Sequence, residues 1–491
     1  MTTSIKSLMT VVVLLLPTFA HSIPYRVHGG GFAVSPRTVM VQLFEWPWKS
    51  VAKECETNLG PNGFSAVQIS PPHEHVRTGK NAWWERYQVV SYRLESRSGT
   101  EAELVDMINR CQRAGVDVYA DVVINHMAGF PSGNGFAGTN FTEYEYPDLY
   151  SYNDFNHCGR NGNDMIVNFF DRYEVQFCEL FGLSDLKTSS EKVQRNLGNY
   201  MTTLLNLGVR GFRLDAAKHV PATDIIQTLR RLQISPYIIS ETLIANNDPI
   251  QLSEYIGFGD VNFFPYSLDI GKGFLEKDLS GLPFQFLNYP SSQYAVVFIE
   301  NHDLERHNEI KIPRLRQNPT EHKLAQIFML AWPYGYPQIF SGYDYQSYDQ
   351  GPPVDAKGFT THVQDTNNSC LAPWTCNHRS PEVVQMIGFR NHTDAQFYAS
   401  HLTSDTDLIS FSRGGLGHVI INLLNKPQTV YLWTDLSPGV YCNILDPQFM
   451  AGNTSCESGI AVNQQQKILT EIPAMSAIVL RSNYKVNDPI H

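Results

Sequence analysis

The chain has 491 residues, of which 42 % are apolar, 12 % aromatic and 17 % charged, with a formal charge of −11. That apolar share supplies a sizeable core, and a prior of roughly 100 to 200 residues per domain, larger for barrels, gives one large and one or two smaller domains. An acidic, aromatic-rich chain is a poor match for a phosphate backbone, which excludes nucleic acid as the expected partner.

Residues 1–22 carry one basic residue, Lys6, then the apolar run VVVLLL from Val11 to Leu16, and close on small or polar residues around Ala20, His21 and Ser22. This is the pattern of a secretory signal peptide cut near Ser22. The run is far shorter than the roughly 20 residues that span a bilayer, and no later stretch approaches that length. A secreted, extracellular protein with no membrane partner is expected, an N-terminal anchor being the competing reading. Removal of Lys6 takes the charge from −11 to −12.

From about residue 38, short β-branched or aromatic runs alternate with helical patterns, the order that favours parallel strands joined by crossover helices. The runs are TVMVQLF from Thr38, FSAVQIS from Phe64, VDVYADVVI from Val116, VRGFRLD from Val209, YIISETL from Tyr237, DVNFF from Asp260, YAVVFIE from Tyr294 and PQIFSG from Pro337. Eight such strands predict a (β/α)8 TIM barrel over residues 23–125 and 189–394. Thr100 and Glu103 form a capping box opening a helix with Leu104, Ile108 and Cys111 on one face. A second helix, after Ser189 and Ser190, spaces Val193, Leu197, Tyr200, Leu204 and Leu207 by four and three, as barrel-packing surfaces require.

Residues 126–188, rich in Gly, Asn, Asp and aromatics, read as an inserted irregular β-rich domain after strand 3, on the face where insertions shape a barrel's site. Beyond residue 394 the helical pattern stops. HVIINLL from His418, TVYLW from Thr429 and SAIVLRS from Ser476 alternate with Gly and Pro turns, predicting a C-terminal antiparallel β-sandwich domain over 395–491. Its Tyr431, Trp433 and Tyr441 read as sandwich-core residues, giving the domain a structural rather than carbohydrate-binding role. Eight cysteines in an exported chain read as disulfides. Spacing offers Cys370 with Cys376, Cys442 with Cys456 and Cys158 with Cys178, leaving Cys55 with Cys111, but does not fix the connectivity. No C-x-x-C or Cys/His cluster points to zinc. Sequons at Asn140, Asn367, Asn391 and Asn453 would be surface positions in a glycoprotein.

The chemistry concentrates in GFRLDAAKH, Gly211 to His219. The two-residue period of a strand turns Arg213 and Asp215 to one side, and a buried guanidinium beside a buried carboxylate is costly unless it serves structure or chemistry. The pair sits where the strand reaches its C-terminal end, as catalytic residues of barrels do. Glu241 ends the apolar run YIIS, where a partly apolar setting favours the neutral form and a general-acid role. Asp303, in ENHD at the end of the seventh strand, adds a third carboxyl. Glycoside hydrolysis needs one carboxylate at the anomeric carbon and one protonated carboxyl at the leaving oxygen.

DVVINH (Asp121 to His126), GFRLDAAKH, the Glu241 strand and ENHD stand in an order and spacing that strongly resemble the α-amylase family of glycoside hydrolases. FEWPW from Phe44, QISPPHEHV from Gln68, WWERYQ from Trp83 and SYRLESRSG from Ser91 extend the resemblance to its animal-type branch over nearly the whole mature chain. The resemblance implies retaining endo-hydrolysis of α-1,4 bonds in starch, glycogen or malto-oligosaccharides; a monomer is the default expectation, which the sequence does not fix. Asp215 would be the nucleophile, Glu241 the acid then base, and Asp303 the stabiliser of the distorted sugar, with Arg213 holding the nucleophile's charge. His126, His219 and His302 match positions that hydrogen-bond substrate; Trp83, Trp84, Tyr87 and Lys218 match positions lining the sugar subsites. The resemblance also implies a structural Ca2+ on Asn125, Asp185 and main-chain oxygens near Gln176 and His219, the hard oxygen donors that calcium takes. Many animal-type relatives bind chloride through an arginine and an asparagine, matched by Arg213 and Asn301, and a third, basic residue. Gln338 replaces that cation, and the lost charge weakens anion binding, so chloride-independent activity is expected. A disulfide common in that branch aligns with Glu95 and Ala128; the absence of both cysteines supports the four pairings above. Competing readings are an α-glucosidase or glucan transferase with the same triad, and an inactive starch-binding protein.

Overall fold

A computed structural model of the protein describes residues 38–245, 247–450, 456 and 458–486. The expected signal peptide and the sequon at Asn453 lie outside the described residues. Eight short strands close into a barrel: β1 (Met40–Leu43), β2 (Ala66–Ile69), β3 (Asp117–Val123), β4 (Gly211–Asp215), β5 (Tyr237–Glu241), β6 (Asp260–Asn262), β7 (Ala295–Val297) and β8 (Tyr336–Ser341). Each lies parallel to its sequence neighbour, and β8 closes on β1. Nearly every strand residue is buried, as expected of strands covered on both faces. Met40, Ala66, Tyr119, Tyr237, Ile239, Val296 and Tyr336 fill part of the interior, so the barrel is a packed core rather than a pore.

The predicted helix starts are present. Helix Glu101–Arg113 opens on the Thr100/Glu103 capping box, each side chain bonding the other's backbone N–H. Helix Glu191–Leu207 buries Val193, Leu197, Tyr200 and Leu204 and stops at Gly208, whose φ of 110° suits only glycine. All four disulfides are those the spacing offered, Cys55–Cys111, Cys158–Cys178, Cys370–Cys376 and Cys442–Cys456. Ala128, where the branch's further cysteine would stand, is buried, and its carbonyl accepts bonds from Tyr146 and Ser184.

The insert between β3 and β4 is mostly irregular. Its β content is one hairpin, Ser132–Asn134 against Asn140–Thr142, and a short helix spans Arg172–Phe177. Glu74 fastens the hairpin to the barrel, accepting bonds from Ser91, Ala137 N–H and Thr139 N–H. A Cβ on Gly135 would lie 2.1 Å from the Glu74 carboxylate, which explains the glycine there.

The C-terminal segment forms eight antiparallel strands: β9 (Ser400–Ser404), β10 (Leu408–Ser412), β11 (Gly417–Asn422), β12 (Gln428–Trp433), β13 (Gly439–Asn443), β14 (Ile460–Val462), β15 (Lys467–Ile472) and β16 (Ser476–Lys485). Their order is β9-β10-β11-β16-β13-β14-β15-β12. One apolar face encloses a core of Leu408, Ile420, Val430, Leu432, Tyr441, Ile468, Ile478 and Leu480. The domain is tied to the barrel by Phe411, whose ring packs edge-on against Trp332 at 4.9 Å, and by Arg413. The Arg413 guanidinium donates to the carbonyls of Ala331, Thr393 and Gln396 at 2.5, 3.0 and 2.6 Å.

Two expectations fail here. Tyr441 is in the core, but Tyr431 and Trp433 are 56 % and 53 % exposed, because the period of β12 sends Val430 and Leu432 inward instead. The Lys467 ammonium lies over both exposed rings. Asn140 and Asn367 are exposed, whereas Asn391 is half-buried and bonded through both amide atoms: its Oδ1 accepts from Thr38 and its Nδ2 donates to the Gly63 carbonyl.

Candidate active site

The register of β3 against β4 sets Asp121 beside Arg213 and Val123 beside Asp215. Arg213, 3 % exposed, thereby becomes the hub of three carboxyl groups. Its Nη1 donates to Asp121 Oδ1 at 2.9 Å and to Asp215 Oδ1 at 2.5 Å. Its Nη2 lies 2.5 Å from Glu241 Oε1 on the neighbouring strand. Asp215 and Glu241 are the last residues of β4 and β5, at the C-terminal mouth of the barrel. Ala216 follows in the left-handed region, with φ 49°, a conformation uncommon for a residue with a Cβ. Its N–H donates to Glu241 Oε2 at 2.8 Å, joining the two strand ends.

Asp303 lies six residues beyond the end of β7, not at the strand end. Asn301 Oδ1 holds it by accepting from the N–H groups of Asp303 and Leu304. His302 Nε2 is 3.5 Å from the Asp303 carboxylate. Tyr87 donates its hydroxyl to Asp121 Oδ2 at 3.0 Å and stands 2.9 Å from His302 Nε2, while Gln42 Nε2 stands 3.0 Å from His302 Nδ1. Since the Tyr87 proton goes to Asp121, its oxygen accepts from His302 Nε2–H, and Nδ1 accepts from Gln42. That fixes a neutral tautomer, in keeping with burial pushing His302 down to about 4.

Burial pushes the carboxyls the other way, Asp215 to about 7 and Glu241 to about 8. The guanidinium opposes the rise in both, and repulsion from neighbouring carboxylates adds to it. Asp121 is raised by burial to about 6, also against Arg213. The pair behaves as one unit that retains a proton near neutrality. Two closely held carboxyl groups that share one proton are the pair of groups that glycoside hydrolysis requires.

Trp83 is nearly buried, with its ring 6.1 Å from both Tyr87 and His302. Trp84 stacks on Phe130 and donates Nε1–H to Asp349. Lys218 is spent on Asp248 and the Leu243 carbonyl. His219 Nδ1 lies 2.9 Å from the Val175 carbonyl. His126 has both ring nitrogens occupied, by the Tyr87 carbonyl and the Asn125 amide. Burial lowers both histidines to about 4, so both are neutral.

Behind His126, Asn125 and Asp185 are buried and adjacent; Leu186 N–H bonds the Asn125 carbonyl, and Asn156 donates Nδ2–H to Asp185 Oδ2 at 2.8 Å. Burial holds the Asp185 carboxyl well above the usual range, opposed by the Asn156 and Asn125 amides. His219 is bonded to the helix that carries Gln176, and Gln176 Nε2 and the Lys218 carbonyl both meet the Tyr255 hydroxyl. Among the described residues Asp185 forms no ion pair, and no group of three His, Cys, Asp or Glu side chains is poised to hold a metal. A buried carboxylate beside asparagine amides offers oxygen donors, which suit a hard cation rather than a transition metal. Sequence reasoning missed Asn156, and it missed Asp121 as the third partner of Arg213. The alternation of Asp121 and Val123 in DVVINH was the available signal for the latter.

At the chloride positions, Gln338 donates to Gln68 Oε1 at 2.7 Å, and both terminal nitrogens of Arg213 are taken by carboxyl groups.

Comparison with known proteins agrees with this geometry. The model of the alpha amylase catalytic domain matches residues 62–250, and that of the alpha amylase C-terminal all-beta domain matches residues 398–483. An alpha-amylase of Thermomonospora curvata is 40 % identical over 460 residues, covering 90 % of this chain and 73 % of that one. An alpha-amylase of the scallop Pecten maximus is 37 % identical over 443 residues, covering 85 % and 87 %. The crystal structure of alpha-amylase I from the earthworm Eisenia fetida superposes with a TM-score of 0.86 at 30 % identity, covering 93 % of this chain and 99 % of that one. The chain is an enzyme of the alpha-amylase family.

Proposed function

We propose that the enzyme is a secreted α-amylase that hydrolyses internal α-1,4 bonds of starch, glycogen and malto-oligosaccharides with retention of configuration. The observation that carries this reading is the attachment of Asp215 and Glu241 to the two terminal nitrogens of Arg213, each at 2.5 Å. Carboxyl groups sharing one guanidinium are closely spaced, which favours the retaining separation of roughly 5–5.5 Å over the wider inverting one. Asp215 attacks the anomeric carbon while Glu241 passes its proton to the leaving glycosidic oxygen. Glu241, now a carboxylate, takes a proton from water, whose oxygen displaces Asp215 and restores both groups. Asp303 and neutral His302 face the distorted sugar, and Trp83, Trp84 and Tyr87 wall the subsites. A variant of the earthworm enzyme has been crystallised in complex with maltohexaose, which supports a linear glucan as ligand.

Asn125, Asp185 and the main-chain oxygens of Gln176 and His219 are the residues that would hold calcium. Bound there, the ion would cross-link insert and barrel and neutralise Asp185. Turnover is independent of chloride, because Gln338 brings no cation. Export is supported by four disulfides, which persist in oxidising compartments, and among the described residues no helix is long and apolar enough to cross a membrane.

The test is digestion of an end-blocked malto-oligosaccharide with calcium and no chloride, followed by product sizes and anomeric form. Internal cleavage to α-anomeric fragments is expected. Release of single glucose units, or chain-lengthened products, would instead identify an α-glucosidase or a glucan transferase, and no cleavage would favour a binding protein.

A further inference from the structure

A second pocket, of about 280 Å3, lies between the loops that follow β7 and β8. Its base is a stack in which the Tyr345 ring is held between two guanidinium groups, Arg306 at 3.8 Å and Arg316 at 4.0 Å from the ring centre. The same two arginines fix the walls: Arg306 Nη1 donates to the Tyr348 carbonyl at 3.1 Å, and Arg316 Nη2 to the Tyr345 carbonyl at 2.6 Å. On the opposite wall Gln317 Nε2 donates to Asn308 Oδ1 at 2.8 Å. The pocket is thus built before any ligand arrives.

Its chemistry is that of a neutral polyhydroxyl ligand. Arg316 lies 3.5 Å from the Asp344 carboxylate, and the buried Arg306 spends its terminal nitrogens on the Tyr348 carbonyl and the Tyr343 hydroxyl, so an anion finds little free positive charge. The exposed groups on the walls are the amides of Asn308, Gln317 and Gln346, the Ser347 hydroxyl and the Tyr348 phenol, a mixture of donors, acceptors and an aromatic face. The volume falls just below the roughly 300–1,000 Å3 of clefts that hold drug-sized molecules, and so suits a single ring. Tyr348 is also the partition between this pocket and the catalytic cleft: it is 48 % exposed, and its ring meets the edge of Trp83 at 6.0 Å.

We propose that this pocket binds one glucosyl residue of an α-glucan, next to the sugars held in the cleft. The proposal rests on the glucan-hydrolase reading above. The residue can belong to an α-1,6 branch of the chain being cut or to a separate chain, and the test separates these sources. Two variants perturb the pocket without touching the cleft: Ser347→Trp, which fills it, and the pair Asn308→Ala with Gln317→Ala, which strips its polar wall.

Each is assayed on an end-blocked linear malto-oligosaccharide and on the same compound carrying one α-1,6 glucosyl branch. If the branch is the occupant, kcat/KM on the branched compound falls about tenfold in both variants while the linear value stays within about twofold. If a separate chain is the occupant, added maltotriose changes the wild-type rate on the linear compound non-competitively, and both variants abolish that response. Wild-type branched-to-linear ratios together with a wild-type maltotriose response in both variants overturn the proposal. Should the wild type cut neither compound, the hydrolase reading has failed, and equilibrium binding of maltotriose to wild type and Ser347→Trp judges the pocket alone: equal affinity overturns it, and weaker binding to the variant supports it.

Discussion

Replacing Arg213 by glutamine removes the one cation that three buried carboxyl groups share, and both the size and the pH dependence of the effect follow from the geometry. Asp121, Asp215 and Glu241 contact the guanidinium at 2.9, 2.5 and 2.5 Å. Breaking a buried ion pair by deleting one partner costs about 3–5 kcal/mol. The loss does not triple, because burial and mutual repulsion already keep the three groups from ionising together. Without the guanidinium, burial acts unopposed and the folded carboxyls rise further above their unfolded values of roughly 4. A carboxyl raised in the folded state costs stability above its unfolded value and nothing below it. The variant's deficit therefore grows as the pH rises through the wild type's folded values of about 6 to 8, and closes below about 6, where the folded carboxyls are protonated in both proteins. Urea unfolding of wild type and Arg213→Gln at neutral and mildly acidic pH reads this directly. Turnover near neutrality falls at least about 10²-fold, as for loss of a preorganised electrostatic contact, because Asp215 then keeps its proton. A deficit of equal size at both pH values, or retained turnover, would refute the hub role of Arg213.

Chelation of calcium should lower the unfolding midpoint, with a loss of about 2.7 kcal/mol if the ion had been present at a hundred times its Kd; Asp185→Asn should be less stable with calcium present and should not respond to the chelator. Adding chloride to chloride-free enzyme should leave kcat unchanged, while Gln338→Arg should introduce a chloride response; strict chloride dependence of the wild type would overturn the reading of Gln338. Glu54 is buried, which on its own would raise its carboxyl, but His378 and Arg379 outweigh burial and hold it at about 2 instead of 4.5. Its contribution, about 3 kcal/mol, is present above pH 4.5 and lost as the pH falls from there towards 2. Unfolding measured across that window should show the loss in the wild type and a flatter profile in Glu54→Gln.

The barrel was legible because its strands are buried on both faces, so each appears as an unbroken β-branched or aromatic run that needs no partner to be recognised. The pairing of Arg213 with Asp215 was legible for a similar reason, since a two-residue period is local. What lay beyond local pattern was less accessible. That Asp121 shares the guanidinium depends on the register between β3 and β4, residues 92 apart in the chain. That Tyr431 and Trp433 face outward depends on which face of β12 meets a core, and an alternating VYLW run is apolar on both faces. Asn391 satisfies a three-residue sequon, yet its amide is consumed by Thr38 and Gly63, contacts that only the closed fold brings about. The irregular insert, held by Glu74 and by a disulfide more than by strand pairing, left few periodic signals beyond its composition.

The Arg413 clamp has a bearing on how the chain is made. The carbonyls that it caps, those of Ala331, Thr393 and Gln396, belong to the last barrel helix segments and the chain just after them. While a ribosome is still producing the final strands, those carbonyls and the Trp332 surface that Phe411 covers have no partner from this domain. At about 5–20 residues per second, the segment from Arg413 to the end takes several seconds to appear. The nascent barrel thus passes through an interval with an apolar patch and uncapped helix ends exposed, and the all-β domain, made after it, closes it.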